Sequence, residues 1–314
     1  MVDKMRRSTR EAYGEALCML ARDGVEVSAV EADLAESTTL ARFGAEYPGR
    51  LVEVGIAEQC MVGVAAGLSL AGRVAFTGSF AVFATGRAYD QIRNTVCDSN
   101  LNVKICPTHA GLTVGEDGAT HQALEDMGLM RGLPNMRVLV PSDYWSALSA
   151  IRLAAMTIGP VYVRLGRHPV PQLYDKGFEM GLPDARILRA GTDVSILACG
   201  VEVSEALGAA ELLEQRGISA EVIDVLTVSP LDEEIILAST VKTGAVVTVE
   251  EHNVATGMGS AVCSLLARNL PTRVHVLGTE TFGLSGSADQ LLSYFGLDAE
   301  GIAKSTLSFL EAGD

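Results

Sequence analysis

The residue types able to do chemistry gather in a few short stretches, the densest of them residues 107–122. This run holds His109 and His121, two of the chain's five histidines, together with Glu116, Asp117 and three glycines. It follows residues 103–106, which read as a strand. Long polar loops after parallel strands lie at the carboxyl edge of a sheet, where ligands bind. The two histidines stand twelve apart, which matches no compact metal-ligand pattern, so no metal is assigned to this chain. Acid–base and hydrogen-bonding work on a polyhydroxylated or phosphorylated substrate fits His109, Asp117 and His121 better.

Glu58 opens an apolar stretch. A carboxylate at a helix start is commonly just a favourable partner for the helix dipole. Here residues 59–72 carry no charge, so the acid is expected to point into a poorly solvated region. Burial favours the neutral carboxyl and suits it to proton exchange with a ligand nitrogen. Phe80 and Phe83, three apart between Gly78 and Gly86, are either core packing or a bed for a planar ligand. Gly257-Met258-Gly259-Ser260 lacks the third glycine of a dinucleotide fingerprint and reads as a helix start.

These stretches need a scaffold, and the alternation along the chain describes one. Strands are expected at 25–30, 74–76, 103–106, 138–140 and 161–165, with helices between them. Ser8 or Thr9 is expected to cap the first helix, and Ser142 or Asp143 a later one. One helix is expected through Tyr89, Ile92 and Val96. Residues 168–190 break the pattern with Pro169, Pro171 and Pro183, and strands then resume at 194–198, 220–225, 245–249 and 274–277. The expected class is α/β: two domains, each a mainly parallel sheet flanked by helices, at 1–175 and 188–314 around a linker at 176–187.

Composition sets outer limits. A length of 314 residues suits two domains, and 24 Lys+Arg against 39 Asp+Glu leave a net charge of −15. That balance argues against a dedicated nucleic-acid binder. Six cysteines without a C-x-x-C pair fit a reducing compartment, and residues 1–7 show no apolar leader. Residues 62–84 are apolar but contain Arg73, and Gly72 suggests a helix stop and a new strand, not a membrane span. A soluble cytoplasmic protein is expected.

Taken together, Gly55-Ile56-Ala57-Glu58-Gln59, the Phe80/Phe83 pair, Arg87-Ala88-Tyr89-Asp90-Gln91-Ile92 and residues 115–122 resemble the pyrimidine-binding domain of transketolases. Glu250-Glu251-His252, Gly257-Met258-Gly259-Ser260-Ala261 and Phe282-Gly283-Leu284-Ser285-Gly286 resemble the C-terminal domain of that family. The resemblance spans essentially the whole chain. A complete transketolase has an N-terminal domain that holds the tail of thiamine diphosphate through a Gly-Asp-Gly motif and a divalent metal. No Gly-Asp-Gly occurs here. The chain therefore resembles the C-terminal subunit of a split transketolase, with thiamine diphosphate shared with an N-terminal partner subunit that holds Mg²⁺ or a similar ion. A heterotetramer of two of each chain is the implied assembly.

The resemblance implies roles. Glu58 would bond the aminopyrimidine nitrogen and promote its imino form, with Phe80, Phe83 and Ile56 around the ring. Asp33 would sit at the interface with the cofactor-bearing subunit. His109, Asp117 and His121 would contact sugar hydroxyls, and Arg10, Ser37 and Arg167 would hold the phosphate of a sugar phosphate. Three departures bear on specificity: Ala110 where the family usually has Asp, Ala119 where it has Pro, and Thr38 where it has Asn. Arg87-Ala88-Tyr89-Asp90-Gln91 and Arg164 are also similar to deoxyxylulose-phosphate synthase, although Glu116 favours transketolase. The Glu-Gln motif is shared with the beta subunit of 2-oxo acid dehydrogenases. A non-catalytic scaffold is the alternative from another class.

Overall fold

The protein is described by a computed structural model covering residues 3–312, so Met1 and Val2 of the segment inspected for a leader lie outside the described residues. The alternation expected from the sequence is realised as two α/β domains. In the first, Val27–Glu31 and Val74–Gly78 occupy the middle of a sheet. Every residue of Val27–Glu31 is buried, as a strand covered on both faces requires. The order across this sheet is Thr227–Ser229, Arg137–Leu139, Val161–Val163, Val103–Ile105, Val74–Gly78, Val27–Glu31 and Leu51–Glu53, all parallel except the first. Thr227–Ser229 arrives from the second half of the chain.

The second sheet runs Arg273–Thr279, Ala245–Asn253, Val194–Ala198, Ala220–Asp224 and Arg186–Arg189, with only the last strand antiparallel. Tyr13, Phe43, Phe76, Tyr144 and Tyr162 are fully buried. Each contributes about 2–3 kcal/mol of transfer free energy to the core.

Local chemistry explains most boundaries. Asp143 accepts the Ser146 N–H and Ser146 reaches back to the Asp143 N–H, closing a capping box at Tyr144–Met156. Met258–Asn269 begins at Gly257 as expected, because Glu250 accepts the N–H groups of Met258 and Gly259. Residues 62–84 divide into the helix Glu58–Leu70 and the strand Val74–Gly78, and among the described residues no helix is long and apolar enough to cross a membrane.

Two local expectations need correction. Neither Ser8 nor Thr9 caps the first helix, Glu11–Arg22. The Thr9 hydroxyl is drawn instead to Gly166, whose N–H it accepts at 2.7 Å, while Glu11 bonds back to Ser8. The helix expected through Tyr89, Ile92 and Val96 is present, but its stretch Gln91–Cys97 is π-helical, and a separate helix, Ala81–Arg87, precedes it. Within the π-helical stretch Ile92 and Val96 are fully buried, whereas Phe83 and Arg87 of the preceding helix stay accessible.

Candidate active site

Five parallel strands of the first sheet end on the same edge, and the loops leaving them carry almost every candidate residue. Asp33 and Ser37 follow Val27–Glu31, Glu58 follows Leu51–Glu53, and Phe80 and Phe83 follow Val74–Gly78. His109 follows Val103–Ile105 and Arg167 follows Val161–Val163. The connection leaving Val27–Glu31 runs to Leu51–Glu53 and the one leaving Val74–Gly78 runs to Val103–Ile105 on the other side, and it is in the crevice between two such departures that open parallel sheets bind ligands.

Glu58 is the first residue of its helix and only 3% exposed, so the acid does point into a poorly solvated region. Its Oε1 accepts a bond from Arg87 at 3.0 Å. That guanidinium lies 4.2 Å from the centroid of the Phe83 ring, a cation–π contact. The Phe80 and Phe83 rings are near parallel, at 19° and 5.9 Å between centroids. His121 meets Phe83 edge-on at 5.3 Å. The acid, both rings and His121 therefore form one continuous wall.

His109 closes that wall. Its ring stacks on Phe80 at 3.8 Å, Nδ1 lies 2.7 Å from the Thr108 hydroxyl, and Nε2 lies 3.3 Å from the Arg10 guanidinium. The backbone at His109 has φ of +59°, a left-handed conformation that an L-residue holds only when its surroundings impose it. Burial, followed by the charges of Arg10 and Arg167, lowers its pKa to about 3. His109 is thus a neutral imidazole at ordinary pH, suited to hydrogen bonding.

Arg10 also donates to the Ser37 carbonyl at 3.1 Å. Arg167 donates to the Val114 carbonyl at 2.9 Å and to Asp117 at 3.3 Å. Burial and then the proximity of Arg167 hold Arg10 below its ordinary pKa, a sign of like charges sharing one region. Such a pair is ready for an anion.

Asp33 and Ile56 stand at the exposed rim, Ile56 being 72% exposed. Glu53 links their loops, accepting the N–H groups of Asp33 at 2.9 Å and Gly55 at 2.8 Å. Glu31, buried and with its pKa pushed up to about 8 by that burial, receives the Leu34 N–H and the Thr38 hydroxyl. Thr38 is therefore an anchor for the Asp33–Ser37 segment. Ala110 is buried in a bridge with Ala123, where a larger polar side chain would have to displace packed atoms.

Residue types alone did not single out Arg87 as the partner of Glu58, nor Glu31, Glu53 and Thr108 as supports. Their roles depend on loops from different strands meeting, which no spacing along the chain records.

Residues 5–172 match the transketolase pyrimidine binding domain and residues 184–302 the transketolase C-terminal domain. A putative transketolase C-terminal section of Methanocaldococcus jannaschii is 46% identical over 304 residues, covering 95% of each chain. A 6-deoxy-6-sulfo-D-fructose transketolase subunit of Clostridium sp. is 42% identical, covering 94% of this chain and 92% of that protein. Among solved structures, a split gene transketolase described as an inactive beta4 tetramer superposes with a TM-score of 0.89 at 42% identity, covering 97% of this chain and 98% of that one. The chain belongs to the transketolase family, as a transferase subunit built from its pyrimidine-binding and C-terminal domains.

Proposed function

We propose that this subunit, joined to an N-terminal partner, transfers a two-carbon ketol unit from a ketose phosphate donor to an aldose acceptor. The observation that carries the reading is the buried Glu58 carboxylate beside the parallel Phe80 and Phe83 rings. An acid for a ring nitrogen, two aromatic faces and the apolar Ile56 at the rim fit the aminopyrimidine end of thiamine diphosphate. When bound, that cofactor supplies the carbanion-stabilising centre that ketol transfer requires.

The chain's own residues divide the remaining work. Glu58 holds a proton at the pyrimidine nitrogen. His109, His121 and Asp117 orient sugar hydroxyls, with His109 kept neutral by its burial and then by its cationic neighbours. Arg10 and Arg167, supported by Ser37, take the phosphate through charge-assisted bonds. Closure of the crevice by the partner excludes water from the reacting centre.

The diphosphate and its Mg²⁺ are assigned to the N-terminal subunit, since the Gly-Asp-Gly motif is absent from this chain. The inactivity of a related assembly made of beta chains alone supports that division. Ile56, Cys60, Gly63, Gly67 and Leu70 form an exposed, uncharged stripe along Glu58–Leu70, which supports docking of further subunits there. Two copies of each chain is the proposed assembly.

The test mixes the purified chain with its N-terminal partner, thiamine diphosphate and Mg²⁺. Release of aldose phosphate from xylulose 5-phosphate is expected from the mixture and from neither chain alone. Turnover of pyruvate without turnover of any ketose would overturn the proposal in favour of a 2-oxo acid enzyme.

A further inference from the structure

The loop that carries His109, Asp117 and His121 is tied to the other domain. Glu251, on the strand Ala245–Asn253, is 2% exposed, and its Oε2 accepts the Thr113 N–H at 2.9 Å. Arg164 donates to the Glu251 carbonyl at 3.1 Å and lies 3.6 Å from its Oε1, while Asp126 accepts from the same guanidinium at 2.8 Å. Gly111, at φ of +85°, rests on this carboxylate so closely that a Cβ would stand 2.0 Å from Glu251 Cδ.

A second tie lies nearby. The Gln122 amide donates to the carbonyls of Leu112 at 3.1 Å and Leu284 at 2.9 Å, and the Ser285 hydroxyl donates to the Glu116 carbonyl. The loop's own structure is slight: a 3₁₀ segment, Leu112–Asp117, broken at Gly115 by a φ of +86°. Short segments of this kind open easily unless outside contacts hold them.

We propose that Glu251 is a positioning residue, a brace by which the C-terminal domain sets loop 109–121 at the height the donor sugar needs. The proposal rests on the ketol-transfer reading of the site. Glu251 acts through Thr113 and Gly111 and makes no hydrogen bond to Phe80 or His109. A domain with no residue in the proposed cofactor or substrate set thereby takes part in substrate binding. Arg164 keeps the brace in register by gripping Glu251 with one side of its guanidinium and Asp126 with another.

The test uses the full chain bearing Glu251→Ala, Glu251→Gln or the surface change Ser285→Ala. The first readout is amide hydrogen exchange of peptides spanning 110–122, with the strand Val194–Ala198 as internal control. E251A is expected to speed loop exchange about tenfold or more with the control unchanged, as loss of a bond to a charged acceptor implies. E251Q keeps an oxygen for the Thr113 N–H and is expected to retain most of the protection. S285A should loosen residues 115–118 only.

The second readout is steady-state kinetics of the complex with the N-terminal subunit. E251A should raise the donor KM about tenfold with kcat within about twofold, the pattern of lost binding common to ground and transition states. Unchanged loop exchange in E251A and S285A overturns the brace. Exchange that rises equally in the control strand also overturns it, because the acid would then hold the whole fold. If E251A does not fold, S285A decides, and unaltered exchange at 115–118 overturns the proposal. Faster loop exchange with an unaltered donor KM overturns the link to the sugar. Absence of ketol transfer in the wild-type complex overturns the functional reading instead, and the exchange result still tests the brace.

Discussion

Arg87 bonds the Glu58 carboxylate at 3.0 Å while its guanidinium carbon stands 4.2 Å from the centroid of the Phe83 ring, so one half-exposed guanidinium touches both the acid and an aromatic ring of the candidate site. A ligand nitrogen that bonds Oε1 of Glu58 competes with this contact. Glu58 is buried, but the guanidinium is half exposed and screened by solvent, so the pair is taken at the exposed-pair level of about 0.2–1 kcal/mol. Arg87→Met is therefore expected to tighten thiamine diphosphate binding by the assembled complex about two- to fivefold, measured by calorimetry. Glu58→Ala should abolish ketol transfer while leaving assembly intact. Weaker cofactor binding in the Arg87 variant would show that the guanidinium belongs to the cofactor site.

The Arg10 and Arg167 pair predicts discrimination by phosphate. Bonds from a guanidinium to an anion contribute about 1.5–3 kcal/mol each, so Arg167→Ala should raise KM for a phosphorylated donor about 10- to 100-fold. The unphosphorylated ketose should change little. Inorganic phosphate should also raise the melting temperature of the native chain more than that of the variant, because it relieves repulsion between the two cations. Equal losses for both sugars would point to a collapsed loop, since Arg167 also holds Asp117.

Acid should destabilise the protein through two histidines. Burial, reinforced by Arg10 and Arg167, depresses His109 to about 3, and burial depresses His252 to about 4. Both are neutral in the fold while their unfolded counterparts take up protons near pH 6.5. At these two sites the unfolded state binds more protons, so their contribution is full above that pH and falls as the solution is acidified toward pH 4, while the buried acids Glu31, Asp224 and Glu250, raised to about 8, 7 and 7, contribute in the opposite sense over the same range. The loss is about 1 kcal/mol per histidine between pH 7 and 5.5. Denaturant melts of the native chain and of His109→Gln at the two pH values check this by difference: the variant should lose about 1 kcal/mol less, or gain about 1 kcal/mol more, than the native chain on going from pH 7 to 5.5.

Two glycines separate backbone strain from steric collision. Gly24 has a φ of +83° and open space around it, so Gly24→Ala should cost about 1 kcal/mol for the left-handed backbone alone. Gly111 combines a φ of +85° with contact against Glu251. Gly111→Ala should cost about 3 kcal/mol or more in chemical unfolding, because strain and overpacking combine.

The strands of the two sheet centres were legible because a strand buried on both faces reads as a largely apolar run, as in Val194–Ala198; Val103–Ile105 interrupts its run with the buried Lys104, whose ammonium bonds the carbonyls of Thr157 and Gly159. Leu51–Glu53, Arg186–Arg189 and Thr227–Ser229 carry no such run: they are short and lie at sheet edges. The π-helical character of Gln91–Cys97 was hidden because a π-helical turn preserves the composition of a helix while shifting its phase. Within the site, the loop after Val103–Ile105 could be picked out by its histidines and glycines. The contacts made by Arg87, Glu31 and Glu251 could not, since each joins segments 7 to 138 residues apart.

Thr227–Ser229 has a mechanical consequence. Because this strand from the second half of the chain pairs with Arg137–Leu139, and Tyr174 bonds Asp224 across the same seam, the segment between the domains is a stitched joint and not a hinge. A protease cut near Lys176 should leave two fragments that co-elute and melt together in a single transition. Heat or denaturant would then meet one cooperative body, and the crevice could widen only by movement of whole subunits.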